Sequence, residues 1–192
     1  MPLRKAASYS KRRKVAFTRK SNVQSKSYAK AIPPCKIVKF VMGDIGKYNR
    51  KEFNYIIELK TNELVNMRDN AIEAARQMIH RHLEDNFKGA YAFIVSCYPH
   101  HILRENKMLT GAGADRMQTG MTLSFGVVTG IAARLMAGNP IFTLAVNTEK
   151  DVAIVRETLK KARAKLPCKT SIVVTKVAVK KQAEEETEES SD

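Results

Sequence analysis

The residues best suited to chemistry crowd into one stretch, ENKMLTGAGADRMQTGM, residues 105–121. It holds three glycines and three methionines around Lys107, Asp115 and Arg116, and keeps neither a helical nor a strand period. Two chemistries suit it. Glycines let a backbone cradle a phosphate, or let a loop enter a crowded site. The dinucleotide fingerprint fails, because Arg116 stands where its third glycine belongs and QTGMTLSFG leads into a strand. The triphosphate-loop ending Gly-Lys-Ser/Thr occurs nowhere in the chain.

The histidines fall as His80/His82 and His100/His101. Positions i and i+2 of a helix point about 200° apart, and neighbours on a strand alternate faces, so neither pair chelates a metal. His100, His101 and Asp115 around the glycine loop define the enzyme alternative, a small hydrolase or transferase. No nucleophile elbow or activated cysteine accompanies them. The plainer role of His100 or His101 is a hydrogen bond to a backbone or phosphate oxygen. Cys97 lies among apolar strand residues and reads as core. We expect no catalytic residue, no metal and no cofactor.

Charge points to a polyanionic partner, while composition leaves the loop open between insertion into a crowded RNA site and a mobile loop whose glycines only give flexibility. The 192 residues carry 34 Lys plus Arg against 19 acids, a formal net charge of +15. Such a chain repels itself unless a polyanion is near. With aromatics at 7% and no tryptophan, base stacking is not the first expectation. Lys107 and Arg116, with Arg104 at the loop base, suit phosphates. Met108 can lie against bases, and Asn106 and Gln118 can reach base edges or ribose hydroxyls. No apolar run approaches the roughly 18 residues of a membrane span, and we expect no secretory signal. Three widely spaced cysteines argue for a reducing compartment rather than a disulfide frame.

Three zones position these residues. Residues 1–30 hold ten Lys or Arg and no acid, among them Arg4, Lys5, Lys11, Arg12, Arg13, Lys14, Arg19 and Lys20. This basic arm should be disordered alone and extended along RNA. Residues 31–180 form the globular domain. Strands are expected at 36–42, 54–60 and 91–99, the last continued by HHILRE past a proline bend. LSFGVVTGIAARL and PIFTLAVN are expected to be strands joined by the turn MAGN, and SIVVTKV closes the order. One helix carries the stripe Ile72, Ala75, Ile79, Leu83, Phe87 and stops at Lys88-Gly89. A second, capped by Thr148 with Asp151, carries Val152, Val155, Leu159, Ala162 and Leu166. The order β-β-α-β-β-β-α-β indicates an α+β two-layer sandwich with two helices on an antiparallel or mixed sheet and a long central loop. Residues 181–192 hold six acids, an acidic disordered tail.

YPHHILRENKMLTGAGADRMQTGM resembles the signature segment of the universal large-subunit ribosomal protein sixteen family, in its archaeal and eukaryotic ten-e form. IPPCKIVKFVMG, RDNAIEAARQMIHRHLE, FGVVTGIAARL and LPCKTSIVV resemble further blocks of it, so the likeness covers roughly residues 1–177. The resemblance implies a hammerhead-type α/β fold and a constituent of the cytoplasmic large ribosomal subunit. It implies binding to large-subunit rRNA beside neighbouring ribosomal proteins, without membrane or homo-oligomer. It implies late assembly, and a loop near the peptidyl transferase centre and tRNA. Asn106, Lys107, Met108, Gly111, Gly113, Asp115, Arg116 and Gln118 fall on that loop, and the arm residues fall on the RNA-threading amino terminus. The stretch after the loop departs from the family pattern: Thr122, Leu123, Val127 and Val128 stand where Arg or Lys is usual.

Overall fold

Among the described residues, two amphipathic helices and eight short strands need a shared interior, and two antiparallel sheets provide it. The structure is a computed structural model that describes residues 4–11, 23, 25, 29, 31–106 and 126–177. The order is α1 (Ala7–Ser10), β1 (Val41–Gly43), α2 (Ile45–Asn49), β2 (Tyr55–Thr61), β3 (Val65–Arg68), α3 (Asp69–Phe87), β4 (Ala92–Val95), β5 (His101–Glu105), β6 (Val127–Leu135), β7 (Pro140–Val146), α4 (Glu149–Ala162), a 3-10 turn (Arg163–Lys165) and β8 (Thr170–Lys176). The large sheet runs β1-β4-β7-β2-β8 and the small one β3-β6-β5. Every strand pair described is antiparallel, so the fold is α+β.

The two sheets share one ribbon. In the chain β4 leads to β5, β2 to β3, and β6 to β7. In space β4-β7-β2 are neighbours in one sheet and β5-β6-β3 in the other, in the same lateral order. The small sheet therefore prolongs the three central strands of the large one. This refines one expectation and corrects another. HHILRE follows β4 past the proline but lies in the small sheet, paired with β6. The MAGN turn does not close a hairpin; it carries the chain between sheets, pinned where Gly138 N donates to Thr61 O (2.7 Å) and Thr61 Oγ1 donates to Met136 O (2.6 Å).

Both helical stripes face the core. Ile72, Ala75, Ile79 and Leu83 of α3 and Val155, Leu159 and Ala162 of α4 are fully buried, in one cluster with Ile57, Leu59, Phe93, Phe142 and Leu144 of the large sheet. Phe87, Val152 and Cys168 pack partly buried at its rim. Lys88 takes the left-handed conformation at the end of α3 (φ 46°), followed by Gly89 at φ 91°. Thr148 and Asp151 form the reciprocal capping box on α4.

Residues 36–42 are not a full strand. Only Val41–Gly43 joins the sheet, because the preceding amides bond to α3 instead. Lys36 N donates to Asp69 Oδ2 (3.2 Å) and Val38 N to Glu73 Oε2 (3.3 Å). Glu73 also accepts from Arg76 Nε (2.8 Å), Arg76 Nη2 (2.6 Å) and Gln77 (2.9 Å), while Arg76 Nη1 donates to Met42 Sδ (3.1 Å). This strap, residues 36–40, leads into β1, which ends at Gly43, whose φ is +81° and where a Cβ would lie 2.1 Å from Tyr91 O, so only glycine fits. Asp44 then caps α2, accepting from Lys47 N (3.0 Å), in a stretch that reads as turns in the sequence.

Arg76 holds the Glu73 carboxyl below the ordinary carboxylate range. Glu73→Gln strands the buried Arg76 charge and should cost roughly 3 kcal/mol in chemical denaturation. The stabilisation is complete above the ordinary carboxylate pKa, about 4.3, and is lost as pH falls through the depressed folded value. Wild type should therefore lose more stability on acidification than Glu73→Gln. Superimposable acid limbs would remove Glu73 from this role.

Candidate nucleic-acid interface

The small sheet's free end carries the loop. β5 and β6 pair from His101↔Ala132 to Glu105↔Val127, with a bulge between Leu103 and Arg104. The chain leaves at Asn106 and returns at Gly126, whose φ is +102°. Lys107, Met108, Gly111, Gly113, Asp115, Arg116 and Gln118 lie outside the described residues, as do Thr122 and Leu123. So the structure fixes the loop's root, at the far tip of the ribbon.

The arm is fastened to that root. Residues 7–10 form a helical turn that buries Tyr9 (3% exposed) against Leu103 and Ala132. Asn66 Nδ2 donates to Tyr9 O (3.2 Å), and Arg68 lies over the Tyr9 ring at 5.4 Å. Ala29 is buried with Ile102 and Ile131. Successive strand residues face opposite ways, so Leu103 with Ala132 and Ile102 with Ile131 line opposite faces. The arm therefore covers both sides of the small sheet. Arg4 Nε pairs with Glu105 Oε2 at 3.0 Å, tying arm to loop base. Residues 4–11 thus pack on the small sheet, because Tyr9 is too apolar to leave in water beside an uncovered sheet face.

The predicted RNA residues divide accordingly. Arg4, Lys5 and Lys11 are exposed, as is His100, and His101 is half-buried. Arg12, Arg13, Lys14, Arg19 and Lys20 lie outside the described residues. Arg104 is buried at 4% exposure, and loss of solvation lowers its pKa. Its side chain thus sits within the loop root. Val127 and Val128 occupy the first positions of β6, Val127 half exposed. Sequence reasoning passed over one basic surface. Helix α4 turns Lys150, Arg156, Lys160 and Lys161 to solvent, and the 156/160 helical spacing is the signal that could have found it.

The enzyme alternative gains nothing here. His100 and His101 are adjacent in extended chain and leave opposite faces. Cys97 is buried and its thiol is pushed up to about 12 by desolvation; Cys168 is pushed up to about 11 for the same reason. Neither is an activated nucleophile. Among the described residues no cluster of three or more His, Cys, Asp or Glu could hold a metal, and no helix is long and apolar enough to cross a membrane.

The sequence profile described as ribosomal protein L16p/L10e matches residues 12–173. This chain belongs to the L16p/L10e family. Among its relatives is the large ribosomal subunit protein uL16 of Hyperthermus butylicus, 40% identical over 175 residues, covering 91% of this chain and 94% of the relative. The uL16 proteins of Sulfolobus acidocaldarius (40% over 186 residues, 95% and 98%) and Methanococcus maripaludis strain C7 (40% over 177 residues, 92% and 96%) are similar. The likeness to L16p/L10e proteins thus includes the arm from residue 12, the small sheet and both core helices.

Tyr9→Ala should release the docked turn, at a cost on the order of 3 kcal/mol for a large buried side chain. Amide exchange at Ser8–Lys11 should rise while α3 amides stay protected. Unchanged protection of the turn would mean that Tyr9 does not hold the arm.

Proposed function

We propose that this chain is a structural, non-catalytic constituent of the large ribosomal subunit in the cytoplasm, binding large-subunit rRNA beside neighbouring ribosomal proteins. The single observation that carries the reading is membership of the L16p/L10e family over nearly the whole chain. The charge fits: an excess of 15 cations needs a polyanion, and phosphates supply it. A nucleotide-binding or hydrolytic function has neither the motif nor the paired groups it would need.

Within that role, residues 1–30 act as the RNA-binding arm, residues 31–180 as the globular domain, of hammerhead type, and residues 181–192 as an acidic extension. Arg4, Lys5, Lys11, Arg12, Arg13, Lys14, Arg19, Lys20, His100 and His101 contact rRNA. Arg104 acts from the loop root, where its buried charge orients the departing strand. The loop residues Asn106, Lys107, Met108, Gly111, Gly113, Asp115, Arg116 and Gln118 lie near the peptidyl transferase centre and tRNA. A root stiffened by the arm on both faces supports that division, because a probe needs a rigid base. The protein joins the subunit late and as a single copy.

The chain should co-sediment with large subunits at low salt. Replacing Arg12 and Arg13 by alanine should lower the log–log salt slope of RNA binding by about 1.4 to 1.8, at roughly 0.7 to 0.9 per phosphate contact. An unchanged slope would take the arm out of the interface. Deleting Met108 to Gln118 should leave the fold and bulk RNA affinity nearly intact while impairing translation. A melted domain after that deletion would refute a loop that acts as a separate probe.

A further inference from the structure

Between the two sheets the chain crosses through Ser96-Cys97-Tyr98-Pro99-His100 in extended form. Burial alternates along it: Cys97 and Pro99 face inward, Ser96, Tyr98 and His100 outward. Hydrogen bonds hold its start. Val95 N donates to Phe40 O (2.7 Å), Ser96 N donates to Ile141 O (2.9 Å), and Ser96 Oγ shares a hydrogen bond with Thr143 Oγ1 (2.8 Å). Tyr98 and His100, two apart on one face, bring their rings to 4.7 Å. Phe40, at the end of the strap, stacks on Tyr98 at 5.4 Å with planes 25° apart. Three rings therefore share one surface, and Tyr98 remains 50% exposed.

An aromatic row left half in water on a domain with a well-filled core calls for an occupant. The charge around it selects one. Lys39 adjoins Phe40, is exposed, and enters no ion pair among the described residues. The acids facing the strap, Asp69 and Glu73, are already engaged by the Lys36 and Val38 amides and by Arg76. A planar ring with a cation beside it in the chain suits an unstacked nucleobase and its phosphate.

We propose that Tyr98, backed by Phe40 and flanked by His100, is a stacking platform for one splayed base of RNA, with Lys39 on the adjoining phosphate. This rests on the ribosomal reading above and adds a base-recognition point apart from the loop. Phe40 and His100 set the ring plane; Tyr98 offers it.

The test uses the full chain and a mixed-sequence single-stranded oligoribonucleotide carrying a fluorescent purine analogue. Wild type should quench the analogue on binding. Tyr98→Ala should abolish the quench and weaken binding about tenfold, within the range for one stacked base. Tyr98→Phe, which keeps the ring, should behave as wild type. Unchanged quenching by Tyr98→Ala, with far-UV circular dichroism as the folding control, would overturn the platform. Zero-length photocrosslinking of purified large subunits separates the two readings. A nucleotide adduct on the Tyr98 peptide supports the platform. Adducts on other peptides of this chain but none there, or a crosslink from Tyr98 to a neighbouring protein, overturns the platform and leaves the ribosomal role standing. Absence of the chain from the subunits overturns that role itself.

Discussion

One carboxylate on the inner side of α3 sets the path of the chain between arm and sheet. Glu73 accepts from two nitrogens of Arg76, from Gln77 and from the Val38 amide, all close to the interior. A buried carboxylate persists only when its lone pairs are filled. Here the filling partners include backbone from a distant part of the sequence. That requirement draws residues 36–38 along α3 instead of into the sheet, and the chain then brings Phe40, whose carbonyl takes the Val95 amide, beside Tyr98. Arg76 closes the arrangement on Met42, at the start of the large sheet. Helix, strap, sheet edge and aromatic row are thus set by one electrostatic need.

The ribbon sets the other dimension. Three strands cross from the large sheet to the small one in unchanged lateral order, so the core that steadies β2, β4 and β7 also steadies the far tip. The small sheet has three strands, and its apolar faces must be covered to contribute stability. It is completed by Tyr9 on one face and Ala29 on the other. The basic arm, proposed above to bind RNA, is thereby also a piece of the fold. Disturbing its docking and disturbing the loop root are the same event, which couples two elements that are far apart in sequence.

Much of this was legible in the residues. The stripes Ile72, Ala75, Ile79, Leu83 and Val155, Leu159, Ala162 keep helical period, and the Thr148–Asp151 cap is local, so both helices could be read directly. β3 could not, because Val65, Asn66 and Met67 are all buried and show no alternation. The strap reads as a strand since Ile37, Val38 and Val41 are β-formers; its hydrogen-bond partners lie 33 and 35 residues away, beyond any local pattern. Pairing of HHILRE with β6 in a second sheet is likewise a tertiary choice. Of the candidate site, the loop and arm were visible as composition. The Phe40–Tyr98–His100 row was not, because nothing in a sequence places residue 40 against residue 98.

The two kinds of contact available to this surface differ in what they can accomplish. Lysines and arginines on a flexible or solvated backbone attract phosphate wherever it lies, strongly and without regard to register. Such contacts alone would let the domain slide or rotate on RNA. Position has to come from groups held at fixed angles: a ring whose plane is set by its neighbours, and a loop whose root is clamped on both faces. In this fold both rigid features lie on the same three-stranded ribbon, Tyr98 where it bends between sheets and Asn106 where it ends. Fixing the bend therefore fixes the direction in which the tip points.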